Sequence, residues 1–336
     1  MDLGQLAITL PAPFLTARES LALAVKAETE WGYDAIWLAE TSGPDSFTLA
    51  GAIAAATSRV TIGTAIVPVY NRSPAVLAMS AGSLGELTQG RFVLGLGSSS
   101  HTIIEKWNGI PFERPLAHVR EAVEIVRQAM EGGRTNFSGE VFSSAGLRLG
   151  CAPAQPVPIY LAALRERMLE LAGEVGQGLI VNFFPVTAMP QILAAYQRGA
   201  ARAGRDATRD EVVARFQVAV TDDVKTARGL VRAAFAGYVA QPVYNAYFKW
   251  CGFEEEAAAV ADAFARGDRG ASAAAMSDDL IDRVAILGSA ESCREQIAGF
   301  VAAGVTTPVI SPLAAGRADV EAVFEAFTPA LRGRAA

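Results

Sequence analysis

The stretch G-R-F-V-L-G-L-G-S-S-S-H, residues 90–101, runs from an apolar strand into two glycines, three serines and one of the chain's two histidines. Small residues after a strand leave backbone N–H groups open, and the positive end of the next helix points at the same loop. Serine hydroxyls add further donors. Gly97, Ser98, Ser99 and Ser100 are therefore a candidate cradle for a phosphate or carboxylate. The competing reading is that the serines cap the helix starting near Thr102, and composition leaves both open. A dinucleotide fingerprint is excluded. The third glycine of G-x-G-x-x-G is missing, the strand is the fourth and not the first, and no following strand ends in an acid where a ribose partner should stand.

Further positions are candidates for chemistry. Glu40 closes the second apolar run, A-I-W-L-A, and would face substrate if this is a barrel; capping the loop around 42–45 is its other reading. Thr64, Ala65, Ile66 and Val67 end the third run and offer either an apolar floor for a planar ring or ordinary core. His101 can donate a proton or serve as a hydrogen-bonded structural residue. His118, inside a helical stretch, reads as structural, and Asp222 with Asp223 reads as a helix cap. The pattern contains no Ser-His-Asp or Cys-His set. Cys151, Cys251 and Cys293 are far apart, imply neither zinc nor a disulfide framework, and suit a reducing compartment.

These residues need elements to position them. β-type runs recur at 5–10, 35–39, 60–69, 91–97, 158–163, 178–184, 212–220 and 306–313, with amphipathic or Ala-rich helical stretches between them. Thr16 with Glu19 reads as a capping box opening the first helix, and Asp319 to Leu331 reads as the last. Strand then helix, repeated eight times, predicts an α/β fold, a (β/α)₈ TIM barrel in a single domain over 1–336, with a doubly wound sheet as rival. Two stretches break the rhythm. Residues 133–157 read as a loop or short hairpin. Residues 222–285, between strands seven and eight, are too long for one barrel helix and read as a helical insertion. Its aromatic run, P-V-Y-N-A-Y-F-K-W at 242–250, makes Tyr244, Tyr247, Phe248 and Trp250 a candidate substrate wall, lid or subunit interface.

Composition narrows the class. The chain has 336 residues, 51% hydrophobic and 19% charged, and a formal net charge of −6 without a Lys/Arg cluster. A nucleic-acid groove is not expected. Apolar runs are strand-sized, not membrane-sized, and the first ten residues do not read as a signal peptide. A soluble cytoplasmic protein acting on a small molecule is expected.

Taken together, G-Y-D-A-I-W-L-A-E (32–40), S-R-V-T-I-G-T-A-I-V-P (58–68), G-R-F-V-L-G-L-G-S-S-S (90–100), W-N-G-I-P-F (107–112) and P-I-Y-L-A-A-L (158–164) resemble the bacterial luciferase-like superfamily. The branch it is most similar to is that of oxidoreductases using coenzyme F420, a deazaflavin. The resemblance spans nearly the whole chain. It implies a TIM barrel holding the deazaflavin at the C-terminal ends of its strands. A non-prolyl cis peptide at Ala65–Ile66 would back the ring, and Glu40 would approach it. Gly97 to Ser100 and Ala163, Leu164 and Arg165 would hold the cofactor tail.

Two departures bear on substrate. Sugar-phosphate dehydrogenases of the family carry His where this chain has Thr41, and Glu in the strand-four loop where this chain has serine; His101 is the substitute proton source. The resemblance thus implies hydride transfer at the deazaflavin C5 with an organic substrate, and the aromatic residues Tyr244, Tyr247, Phe248 and Trp250 of the insertion suggest an apolar one. Its alternatives are an FMN-dependent two-component monooxygenase, with Arg165 on the FMN phosphate, or a non-catalytic cofactor-binding protein. A homodimer is also implied.

Overall fold

The computed structural model describes residues 1–150, 152–314 and 316–328. Cys151 and the expected last helical turn at 329–331 lie outside them. The eight expected runs are the eight strands of a closed parallel barrel: β1 (Ala7–Leu10), β2 (Ala35–Leu38), β3 (Thr61–Thr64), β4 (Phe92–Gly97), β5 (Ile159–Ala162), β6 (Gly178–Asn182), β7 (Glu211–Val220) and β8 (Thr307–Pro312). Closure comes from β8, which pairs with β7 along Val213↔Thr307 to Val218↔Pro312 and with β1 at Ala7↔Val309. Most of these strands are buried on both faces, as a sheet covered by helices requires, so they read as continuous apolar runs.

Helices start where the sequence can cap them. Thr16 and Glu19 form the expected capping box on Ala17–Lys26, Asp45 caps Ser46–Ala56, and Ser73 caps Pro74–Leu87 with Pro at its first turn. Each cap satisfies an otherwise orphaned N–H.

The barrel interior is filled by Ala7, Ala35, Trp37, Val93, Tyr160, Ile180, Val213 and Val309. Trp37 and Tyr160 stack at 5.9 Å between centroids. Glycine makes room for both rings. A Cβ on Gly63 would stand 2.4 Å from the Trp37 indole, and one on Gly178 would stand 2.6 Å from the Tyr160 ring. This layer plugs the barrel, and Ala65, Ile66 and Ala162 pack onto it.

Three features depart from a plain barrel. A two-residue strand, Val67–Pro68, continues beyond a break after β3 and pairs with the end of β4. Residues 133–157 contain a hairpin of Asn136–Ser138 and Ser143–Ala145. The insertion carries helices Val224–Val239, Pro242–Trp250, Glu254–Ala265, Arg269–Ala274 and Asp278–Val284. No strand was expected at its end, yet it closes in one, Ala285–Gly288, which pairs in parallel with Gln217–Val220 of β7. That strand is short and buried, so its A-I-L-G pattern is too brief to signal itself. Among the described residues no helix is long and apolar enough to cross a membrane.

Candidate active site

A cavity of about 1030 Å³ opens at the C-terminal ends of the barrel strands. Its floor is built from β3 and β4. Ala65 donates its N–H to Leu38 O at 2.7 Å, the Ala65–Ile66 peptide is cis, and the chain then rejoins β4 through Val67–Pro68. Thr64 bolts the two strands together below the floor. Its hydroxyl donates to Gly95 O and accepts from Gly95 N, both at 2.8 Å. A Cβ on Gly95 would lie 1.7 Å from Thr64 O, so only glycine allows this approach. Thr64 and Val67 are thus fully buried, supporting the floor from behind.

Gly97, Ser98, Ser99 and Ser100 all line the cavity. Ser99 adopts φ +64°, a left-handed conformation uncommon outside glycine, which turns the loop sharply. Ser100 also takes the capping part: its Oγ accepts from Ile103 N at 3.5 Å and its carbonyl from Ile104 N at 2.9 Å. The helix expected there is a wide π-type turn, Thr102–Trp107. His101 is not among the lining residues; its ring packs on Phe112, which is, at 4.4 Å.

Glu40 lines the cavity with its carboxylate already engaged. Arg72 grips it from two sides, Nη1 to Oε1 at 2.6 Å and Nη2 to Oε2 at 3.0 Å, and Ser46 N donates to it at 3.2 Å. Arg72 also pairs with Asp45, the cap of helix Ser46–Ala56. Burial alone would lower the Arg72 guanidinium, but the Glu40 and Asp45 carboxylates outweigh it and hold its pKa raised. Nothing local in the sequence marks Arg72, because it reaches Glu40 only through the path of the chain after the floor.

Across the cavity, Ala163, Leu164 and Arg165 follow β5. Arg165 stands at the N-cap of helix Glu166–Val175, where the helix dipole favours anions. Glu166 is taken by Arg198 at 2.5 Å, whereas Arg165 and Arg167 have no ion pair among the described residues.

The fourth side comes from β6, β7 and the insertion. Tyr244 and Trp250 line the cavity with Phe235 and Tyr238. Tyr247 and Phe248 do not; they are buried in the insertion's own core, Tyr247 against Trp250 and Phe248 between Phe183 and Phe253. Burial pushes the Tyr244 phenol up to about 12, so it keeps its proton at neutral pH. Two polar residues missed in the sequence complete this side, Asn182 at the end of β6 and Arg215 on β7. No grouping of three or more His, Cys, Asp or Glu suited to a metal occurs among the described residues.

The comparisons with known proteins agree with this fold. A 5,10-methylenetetrahydromethanopterin reductase of Archaeoglobus fulgidus is 32% identical over 291 residues, covering 85% of this chain and 87% of its own. An F420-dependent glucose-6-phosphate dehydrogenase of Gordonia bronchialis is 32% identical over 206 residues, 56% of this chain and 60% of its own. The solved coenzyme F420 dependent tetrahydromethanopterin reductase of Methanopyrus kandleri superposes with a TM-score of 0.78 at 23% identity over 97% of both chains, and so shares the fold. The family model for luciferase-like monooxygenases matches residues 3–307. That span takes in seven of the barrel strands, the start of the eighth and every side of the cavity: the chain belongs to the luciferase-like monooxygenase family.

Proposed function

We propose that this protein is an F420-dependent oxidoreductase acting on a small organic substrate. The observation that carries the reading is one cavity with two chemically distinct ends. Its floor, at Ala65, Ile66, Ala162 and Ile180, is apolar and can back a planar ring. Its rim, at Ser98, Ser99, Arg165 and Arg167, presents donors and unpaired positive charge. A flat heterocycle with an anionic tail fits both ends. Bound F420 supplies or accepts a hydride at the deazaflavin C5.

The chain's own residues position and insulate that chemistry. Arg165 and Arg167 hold tail anions, aided by backbone N–H groups of Gly97 to Ser100 and by the helix behind Arg165. Glu40, fixed by Arg72, is an oriented acceptor beside the ring. Phe235, Tyr238, Tyr244 and Trp250 exclude water over the exposed face, and Tyr244 offers a protonated hydroxyl to a substrate oxygen or nitrogen. His101, behind Phe112, reaches the cavity only if Phe112 turns aside. Reduction of an activated C=C, C=N or carbonyl group suits a wall of this kind. The exposed Val76, Met79 and Leu87 share one face of helix Pro74–Leu87 and support a homodimer, and a cytoplasmic setting accompanies the reading.

The test is a fluorescence titration of the purified protein with F420 and, separately, with FMN. Tight F420 binding and weak FMN binding are expected. A preference for FMN overturns the reading in favour of a flavin-dependent monooxygenase, and binding of neither cofactor overturns it outright.

A further inference from the structure

Arg215 is the one charged residue in the buried strand V-V-A-R-F-Q-V-A-V, and it lines the deep side of the cavity. Its Nη2 donates to Ser311 Oγ at 2.9 Å. Ser311 Oγ in turn donates to Gln217 Oε1 at 3.2 Å. The serine's only proton is therefore spent on Gln217, and its lone pair is left to aim the guanidinium. The Nε of Arg215 is buried without a partner, and so is Oδ1 of Asn182, the residue beside Arg215 in register on β6. Buried donors and acceptors left unpaired are costly and rare.

Among the described residues no carboxylate answers this charge. The two acids lining the cavity, Glu40 and Glu166, are committed to Arg72 and Arg198, and Arg215 has no ion pair among the described residues. Burial pulls the guanidinium pKa down, and only the nearby Tyr244 and Tyr238 phenols act to raise it. The anionic cofactor tail is matched elsewhere, by Arg165 and Arg167 after β5. The groups near Arg215 are instead the Tyr244 and Tyr238 phenols, and Phe235 and Trp250 line the same cavity.

We propose that Arg215, aimed by Ser311 and flanked by Asn182, is a substrate-carboxylate anchor, and that the substrate is an organic acid whose apolar body packs against the aromatic wall. A carboxylate accepts from the guanidinium N–H groups that Ser311 leaves unspent, and the Asn182 amide, whose two ends are interchangeable by rotation, gives a second donor or accepts from a neighbouring hydroxyl or amine. The proposal rests on the oxidoreductase reading for its assignment of a substrate, and the anion site itself is tested without turnover.

The experiment uses calorimetric titration of the intact protein with benzoate and with benzamide, equal in shape and different in charge, in low-chloride buffer at pH 7. Benzoate is expected to bind at least about tenfold tighter, the scale of one charge-assisted hydrogen bond. Arg215→Gln should erase that preference and Arg215→Lys should keep part of it. The double variant Arg165→Gln/Arg167→Gln should leave it intact. Equal affinity in the unmodified protein, binding of neither probe, or a preference that survives Arg215→Gln overturns the proposal. The wild-type comparison stands even if a variant fails to fold. F420 titration of Arg215→Gln separates the two readings. Unchanged F420 affinity with lost benzoate preference supports the anchor. Loss of F420 affinity makes Arg215 a cofactor ligand and overturns the anchor alone. If the unmodified protein ignores F420 but prefers benzoate, and Arg215→Gln erases that preference, the cofactor reading fails and the anchor holds.

Discussion

Gly63→Ala should destabilise the protein through one ring. The added Cβ would sit 2.4, 2.5 and 2.9 Å from Cζ3, Cε3 and Cη2 of Trp37. Carbon atoms rest at roughly 3.5–4.0 Å, so the indole must retreat by about an ångström. It has nowhere to go, being 1% exposed and stacked on Tyr160. Tyr160 in turn occupies the space over Gly178 and donates to Glu211 Oε2 at 3.0 Å. Overpacking of this kind costs about 1–3 kcal/mol, a fall in Tm of roughly 1.5–4 °C for a chain of this size. Trp37→Phe withdraws the three clashing carbons and by itself leaves a void, costing about 1–3 kcal/mol. The double variant should then be more stable than the sum of the two single ones by about 1–2 kcal/mol. Thermal unfolding followed by circular dichroism on all four proteins gives the coupling. Additivity within about 0.5 kcal/mol would refute the steric argument.

Arg72→Met leaves Glu40 and Asp45 without their shared cation, and should cost about 3 kcal/mol, toward the low end for a broken buried pair because Asp45 is partly in water; an unchanged Tm contradicts this. Gly97→Val places carbon where a Cβ already lies 3.2 Å from the Ile66 side chain, so cofactor affinity should fall by about tenfold or more with little change in melting; an unaltered F420 titration tells against the floor. Burial works to raise the Glu121 carboxyl, but the N–H groups of Val141, Phe142 and Glu140 outweigh it and hold the pKa below the usual range. A lowered folded pKa stabilises above the unfolded value, about 4.3, and the gain is lost as pH falls through the folded value. Glu121→Gln should therefore lower the urea midpoint at pH 7, and its deficit should shrink below about pH 4; a deficit independent of pH counts against it. Trp250→Ala opens the aromatic wall and should weaken benzoate and benzamide alike, by about tenfold, as calorimetry would read; a loss confined to benzoate would place Trp250 on the anion and not on the apolar body.

The barrel was legible because its strands are buried on both faces, so local runs such as R-F-V-L-G-L-G and V-V-A-R-F-Q-V-A-V carry the signal alone. The strand Ala285–Gly288 was not, since four apolar residues after a helix look like the helix's last turn. In the cavity, residues at strand ends could be found by position: Glu40, Ala65, Ile66 and Gly97 to Ser100 all line it, as do Ala163 to Arg165, which only the family resemblance pointed to. Tyr247 and Phe248 could not be told apart from Tyr244 and Trp250, because which face of helix Pro242–Trp250 turns inward depends on how the insertion folds on itself. Arg72 reaches Glu40 through a tertiary turn and left no local trace. Arg215 did leave one. A single charge at an inward position of a buried strand needs a reason, and V-V-A-R-F-Q-V carries that charge in plain sight.

The strand that ends the insertion has a bearing on how such a protein can change. Thr221 N donates to Gly288 O at 2.8 Å, so the helical excursion leaves and re-enters the barrel at adjacent points on β7. Its two ends are fixed side by side by the sheet, whatever lies between. The helices bearing the aromatic wall behave as a replaceable module: they can lengthen, shorten or be exchanged without altering the gap the chain must bridge or the closure of the barrel. Selectivity can then change by remodelling one excursion, while the eight strands and the cavity floor stay as they are.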